Sequence, residues 1–447
     1  MKQQQNHSRV EQFLEEVCER VRAKELHEEI KEELRAHLDE LIEGNLSQGM
    51  SEEEAVKQAV VCMGEPDLIG KGLDKVHRPR TDWGMLAIIG LLSVIGILAM
   101  YSVQMSEAEL TRMLNFFQNK IILTGIGLVF MTLLWALDYR KLKKYSESLF
   151  VFGIGILVLA PFIAEKINGA TAWIMIGQTG LHIPTIAIMA MSIGLAGIKP
   201  AKEWGWKESI VQLVCRGVIP FVLLMKMNSL AFAAVYTAIF VAFLWITRRN
   251  VAQIMTFGAG FTGFIYFIVV GSDYYNYYVT MRLRNFLVPW NDPNGEGFML
   301  QQARNAIHSG GWWGQGIGTP NRTIPYVQSE GMLPYFIYCF GWLAGIAVVM
   351  LILCFIGKAI ETTYRTKDEF GKRLSFIIGM LLIVQFVWTV LMTFGYAPFV
   401  GLTIPFLSYG GTGQVLQFAT IGLLLSIYRR RDTIPTSWMP NTINQIK

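Results

Sequence analysis

This sequence has few charged residues, few cysteines and no apolar stretch near its N-terminus. Each of these features argues against a class of protein. Only 16% of the 447 residues are charged, against about a quarter in soluble domains, which excludes an ordinary soluble protein. The five cysteines lie apart without disulfide or metal-ligand spacing, so we interpret them as inert packing residues and predict no disulfide framework. The N-terminal stretch MKQQQNHSRVEQFLEEV has no apolar core, and we expect the first membrane span to direct targeting.

Long apolar runs recur from Trp83 to the C-terminal region, and 52% of all residues are hydrophobic. A membrane-spanning helix needs roughly 20 apolar residues. The runs therefore predict an all-α, polytopic membrane protein of about ten transmembrane helices. We place the spans near 84–104, 117–137, 147–164, 182–198, 209–225, 228–246, 252–271, 331–357, 374–396 and 404–428. Lys226 and Asn228 lie between the fifth and sixth runs, where we predict a short turn.

Positive charge predicts the orientation of these spans. The basic loops alternate along the chain, and all fall on the side of the N-terminal region: 138–145, 199–207, 247–250, 358–373 and 428–432. Since lysine and arginine are concentrated in cytoplasmic loops, we expect both termini to be cytoplasmic. We predict a transmembrane domain at 81–433 with a large external loop at 272–330, and a cytoplasmic tail at 434–447.

The first 80 residues predict a small helical domain in the cytoplasm. They contain 12 basic and 18 acidic residues, whereas the remainder of the chain is basic. Apolar residues recur at helical spacing over 8–77, and we expect Gly44 and Asn45 to end one helix. Ser51 and Glu54 have capping-box spacing for the next helix. The segments ELRAHLDELI and GMSEEEAVKQAVVCMGEPDLIG resemble the prefix domains of bacterial permeases, which implies docking or regulation without chemistry.

The long loop contains a polar turn, PWNDPNGEG at 289–297, that carries two carboxylates, Asp292 and Glu296. Asn, Asp and Gly form turns without any function, so the turn alone does not define a site. The loop also carries tryptophans and tyrosines, which suit the membrane–water interface. We therefore expect an ordered and functional loop.

Two segments carry a family resemblance. They are RLRNFLVPWNDPNGEGFMLQQARNAIHSGGWWGQGIG at 282–318 and GYAPFVGLTIPFLSYGGTGQVLQFATIGLLLSIYRRR at 395–431. Both are similar to the SEDS proteins (shape, elongation, division and sporulation) typified by FtsW, RodA and SpoVE. The resemblance implies a peptidoglycan glycosyltransferase of the bacterial cytoplasmic membrane that polymerises lipid II at the outer face. It also implies a class B penicillin-binding transpeptidase as partner, and no nucleic acid.

The resemblance further implies a catalytic carboxylate at Asp292, which would accept a proton from the attacking sugar hydroxyl. Glu296 is the alternative base. Arg282 matches a family arginine and would hold a lipid phosphate, although an arginine at the interface also reaches toward headgroups. Gln302 matches a family glutamine that could bond sugar hydroxyls, and an ordinary helix position explains it nearly as well.

Two further elements are predicted to contact substrate. Glu330 could orient the acceptor or bind a divalent cation, or it could serve as the dipole partner of the helix that follows. Broken backbone at membrane depth requires protein or a watery cavity to satisfy it. We therefore place Ser408, Tyr409, Gly410 and Gly411 in the wall of the substrate cavity, while small residues there could also form a helix–helix contact.

Several positions depart from the family pattern. Ala172 stands in place of a family arginine, HIPT at 182–185 in place of Gln-Pro-Ser-Glu, and Met332 to Pro334 in place of His-Thr-Asp. These losses keep a second function open, a catalytically weak protein that binds lipid-linked precursor or a transpeptidase as a regulator. A lipid or solute transporter is a third alternative, although internal repeats are not evident.

Overall fold

We analysed a computed structural model of the chain, which describes residues 2–22, 27–77, 81–106, 115–167, 170–176, 179–248, 251–288 and 296–431. The described residues form two compact units. One contains those of 2–81 together with 365–368 and 427–431, and the other contains those of 82–364 and 369–426.

The N-terminal residues, where the sequence predicts helices, form four of them: α1 Lys2–Glu19, α2 His27–Ser47, α3 Glu52–Met63 and α4 Pro66–His77. Their apolar faces share one buried core, in which Leu14, Val17 and Leu38 are nearly or wholly inaccessible. The capping box at Ser51 and Glu54 is confirmed. The predicted stop at Gly44 and Asn45 is wrong, because α2 continues through both to Ser47 and the chain turns at Gly49, whose φ is +86°.

The second unit is built from apolar helices, and the predicted all-α membrane architecture is confirmed. The helices are α5 Trp83–Ser106, α6 Phe116–Ala136, α7 Ser146–Ile163, α8 Ile183–Gly197, α9 Trp206–Gln212, α10 Ile219–Lys226, α11 Leu230–Thr247, α12 Val251–Val270, α13 Asp273–Leu287, α14 Glu296–Gly310, α15 Met332–Arg365, α16 Glu369–Thr393 and α17 Thr412–Arg429. A π-helical turn at 213–218 joins α9 to α10.

Eight helical segments in the described part of the chain are long and apolar enough to cross a membrane. The two other predicted spans correspond to α8, which is a shorter apolar helix, and α17. The turn predicted around Lys226 and Asn228 is confirmed between α10 and α11. The predicted start of the last span at 404 is wrong, because residues 404–411 are irregular and α17 begins at Thr412.

A three-stranded antiparallel sheet lies between α7 and α8, where the sequence predicted only a loop. Its strands are β1 Glu165–Ile167, β2 Ala170–Ile176 and β3 Thr179–His182, in the order β1-β2-β3. Trp173 of β2 pairs with His182 of β3. The Thr171 N–H donates to the Met227 carbonyl at 3.1 Å, which joins the sheet to the turn after α10.

The glycine-rich segment after α14 packs against a break in α15. Gly341 interrupts that helix with a φ of +84°. The N–H groups of Gln315 and Gly316 donate to the carbonyls of Tyr338 and Cys339, at 2.9 and 3.1 Å. The segment thus satisfies carbonyls that the break leaves without helical partners.

Candidate functional site

The second unit contains a partly open cavity of about 430 Å³, hereafter the main cavity. Helix α6 and the sheet supply Phe116, Asn119 and Trp173 to its wall. The segments 326–330, 401–403 and 409–411 form much of the remainder, and α16 and α17 contribute Gln385 and Gln417. Apolar walls with a few convergent polar groups are typical of ligand pockets.

A smaller chamber of about 210 Å³, hereafter the polar chamber, adjoins the main cavity. The two share Trp173, His182 and Glu330 in their linings. The polar chamber adds Arg282 of α13 and Asn228 from the turn before α11. Asn228 has a φ of +55°, and backbone in this sparsely populated region is concentrated at functional sites.

Glu330 lines both spaces and comes two residues before α15. The Ser329 hydroxyl donates a short hydrogen bond to its carboxylate. Burial raises the pKa of the Glu330 carboxyl above its ordinary value, and the hydrogen bond from Ser329 offsets part of that rise. A half-buried carboxyl that lines a cavity and has a raised pKa is a candidate for exchanging protons or holding a cation.

Arg282 faces the polar chamber from α13, and its guanidinium donates to the Phe399 carbonyl at 3.1 Å. The fold thus brings Arg282 and Glu330 to one chamber, although 48 positions separate them in the sequence. A guanidinium beside a sheltered space is suited to binding a phosphate group.

The segment 405–411 forms part of the wall of the main cavity. Tyr409, Gly410 and Gly411 line the cavity, whereas Ser408 is buried behind them with 2% of its surface exposed. The Ser408 hydroxyl donates to the Ser329 carbonyl at 2.8 Å, and the Tyr409 N–H donates to the Gln328 carbonyl at 2.8 Å. These bonds hold the segment directly against the residues that precede Glu330.

Of the remaining predicted site residues, the structure describes the placement of Gln302 but not that of Asp292. Gln302 is half-buried on α14 and is not among the described residues that line the main cavity or the polar chamber. Asp292 falls between the end of α13 and the start of α14, outside the described residues. Glu296 is the first residue of α14.

The structure adds two groups that the sequence did not single out as site residues. The His182 ring lies 4.5 Å from that of Trp173 and 4.6 Å from that of Phe232, measured between centroids, and its Nδ1 is 2.7 Å from the Thr185 hydroxyl. His182 and Thr185 both occupy the wall of the main cavity, so the departure at 182–185 changes the site itself. The second group is Lys120 of α6, which is fully buried.

A metal site is not evident in the part of the chain that the structure describes. There, no group of three or more histidine, cysteine or acidic side chains is arranged to hold an ion. Among the described residues, Glu330 supplies the one carboxylate in the lining of the two cavities, so a cation there would need further ligands.

The apolar helices define a multi-pass membrane protein, and a partly open cavity lies among them. A family model for FtsW, RodA and SpoVE, described as "Cell cycle protein", matches residues 82–433. The chain therefore belongs to the FtsW/RodA/SpoVE family.

Curated relatives agree with this assignment. A probable peptidoglycan glycosyltransferase FtsW from Thioalkalivibrio sp. is 29% identical over 361 residues, which cover 77% of this chain and 87% of that protein. Stage V sporulation protein E from Bacillus subtilis is 25% identical over 359 residues, which cover 77% and 94% of the two chains.

The fold is also similar to two solved structures. A chain from "Structural coordination of polymerization and crosslinking by a peptidoglycan synthase complex" has a TM-score of 0.64 at 19% identity, covering 79% of this chain and 99% of that one. The rod shape determining protein RodA from Thermus thermophilus has a TM-score of 0.58 at 16% identity, covering 78% and 97%.

Proposed function

We propose that this protein is a peptidoglycan glycosyltransferase that polymerises lipid II at the outer face of the cytoplasmic membrane. The supporting observation is the convergence of Arg282, Glu330 and the segment 409–411 on two adjoining cavities, in a chain of the FtsW/RodA/SpoVE family. Two relatives named as probable peptidoglycan glycosyltransferases align with 77% and 70% of this chain, at 29% and 25% identity.

In the proposed reaction a sugar hydroxyl attacks the anomeric carbon of a lipid-linked sugar. The new glycosidic bond forms as the bond from that carbon to the pyrophosphate oxygen breaks. Asp292 accepts the hydroxyl proton, and Arg282 offsets the negative charge that grows on the departing pyrophosphate. Glu330 orients the acceptor within the main cavity.

Two neighbouring carboxylates provide a matched test. Purified protein would be assayed for lipid II polymerisation, alone and with a class B penicillin-binding transpeptidase as the proposed partner. We expect Asp292→Asn to reduce turnover by about a hundredfold or more, which is the usual contribution of a general base. Glu296→Gln should retain activity. The reverse pattern would make Glu296 the base, and full activity in both variants would contradict a base in this turn.

One observation favours a second candidate, a regulator that binds lipid-linked precursor or a transpeptidase without efficient turnover. His182 and Thr185 line the main cavity at positions where the family resemblance implies glutamine and glutamate. The absence of polymer from the wild-type protein, with partner present and with precursor still bound, would support this candidate over the enzyme.

A further inference from the structure

Lys120 carries a polar amine on an apolar membrane helix. Its side chain is fully buried four residues into α6, and Nζ donates to the carbonyl oxygens of Phe406 at 2.8 Å and Ser408 at 2.6 Å. A buried polar group is costly unless it is hydrogen-bonded. Here the partners are two backbone carbonyls, and both belong to the irregular segment 405–411.

This segment needs support from outside itself. Phe406 has a φ of +64°, a conformation that is unfavourable for a bulky residue. Helix α5 approaches so closely that a Cβ at Gly96 would lie 2.3 Å from the Phe406 carbonyl oxygen. The segment is therefore held between α5 and the Lys120 amine of α6, in a conformation that its own backbone would not favour.

One face of α6 contacts the segment at two further points. The Phe116 ring lies 5.0 Å from that of Tyr409, and the Asn119 side chain hydrogen-bonds the Tyr409 hydroxyl. Residues 116, 119 and 120 share a helix face because they are three and four positions apart. From Ser408 and Tyr409 the hydrogen bonds continue to Ser329 and Gln328, immediately before Glu330.

We propose that Lys120 is a positioning residue that holds segment 405–411, and through it the residues before Glu330, in the shape of the cavity wall. Lys120 does not line either cavity, so it acts through the backbone it binds and not by contact with substrate. Its effect on turnover rests on the proposed glycosyltransferase function, whereas its effect on the wall does not.

The test compares two neutral substitutions of similar volume with a control on the same helix. Lys120→Met removes the hydrogen-bond donors, and Lys120→Gln retains N–H donors. Gln118→Met is the control, because Gln118 is exposed two residues away. Amide hydrogen exchange by mass spectrometry would follow peptides covering 404–411 and 327–331, with peptides of α16 as an internal reference.

We expect exchange in both peptides to become at least about tenfold faster in Lys120→Met, because the carbonyls of Phe406 and Ser408 both lose their side-chain donor. Lys120→Gln should lie between Lys120→Met and wild type, and Gln118→Met should match wild type. Exchange in α16 should stay unchanged. Polymerisation by Lys120→Met should fall about tenfold, in proportion to the loosened wall.

Three results would overturn the proposal: unchanged exchange at 404–411 in Lys120→Met, faster exchange throughout the unit including α16, or a loosened wall with full polymerisation. The second result would show that Lys120 supports the whole fold and not this segment. If the wild-type protein makes no polymer, the proposed function fails, and the exchange measurement still decides whether Lys120 holds the wall.

Discussion

At the scale of single residues, the partial burial of Glu330 makes the free energy of unfolding depend on pH. Burial raises the pKa of this carboxyl above its ordinary value of 4.5, so the folded protein holds the proton more tightly than the unfolded chain. Between the ordinary and the raised pKa the folded state binds more protons, and the free energy of unfolding therefore falls as pH rises. Glu330 lowers stability at neutral pH compared with a neutral side chain of the same size.

We expect the stability of Glu330→Gln relative to wild type to increase as pH rises from 4.5 through the raised pKa of Glu330. The polymerisation activity of this variant should fall. Thermal unfolding midpoints at a series of pH values would measure the first effect, with the exposed Glu203→Gln as control. A stability difference that does not change with pH would contradict the burial of an ionisable Glu330.

Sequence reasoning identified Glu330 and Arg282 but not Lys120, and the reason is physical. Glu330 and Arg282 lie in or beside recognisable motifs, so their neighbours in the sequence point to them. The partners of Lys120 are 286 and 288 positions away, and only the fold brings them together. A lysine near the start of an apolar run is also typical of the membrane interface, where it needs no partner.

At the scale of helices and segments, apolar length predicted most of the structure. Each predicted span overlaps a helix, because roughly 20 apolar residues leave few other conformations in a membrane. Composition could not locate the start of α17, because the apolar run continues into residues 404–411 although their backbone is irregular. The strands β1 to β3 were missed because each is short and depends on pairing that composition does not encode.

The backbone of Gly314 packs so closely against that of Gly341 that neither position has room for a side chain. Both residues have positive φ, and an added Cβ would lie 2.2 Å from the Cys339 carbonyl oxygen at Gly314 and 2.3 Å from the Trp312 carbonyl oxygen at Gly341. Gly314→Ala and Gly341→Ala should each lower the free energy of unfolding by about 1–3 kcal/mol, from backbone strain alone. Thermal unfolding of the purified variants would measure this loss.

Gly357 provides the control for both substitutions. It lies in the same helix α15 with open space around its Cα, so Gly357→Ala should leave stability unchanged or raise it by up to about 1 kcal/mol. Equal effects at all three glycines would show that the segment after α14 does not pack against the break in α15.

At the scale of the whole molecule, the distribution of charge makes an orientation testable. The basic loops predict that the N-terminal domain lies in the cytoplasm and the 272–330 loop outside. Native Cys62 is exposed in the N-terminal domain, and Arg322 is exposed within the loop. In a chain with Cys215 and Cys354 replaced by alanine, a membrane-impermeant maleimide should label Arg322→Cys in intact spheroplasts. Cys62 should be labelled only after the membrane is permeabilised.

The orientation bears directly on the chemistry, because Asp292 belongs to the same loop as Arg322. Polymerisation at the outer face requires the base, the polar chamber and the lipid-linked sugar to meet on one side of the membrane. Labelling of Cys62 in intact spheroplasts, with Arg322→Cys protected, would place that loop in the cytoplasm. Asp292 would then have no access to substrate at the outer face, and the glycosyltransferase proposal would fail whatever the geometry around Glu330.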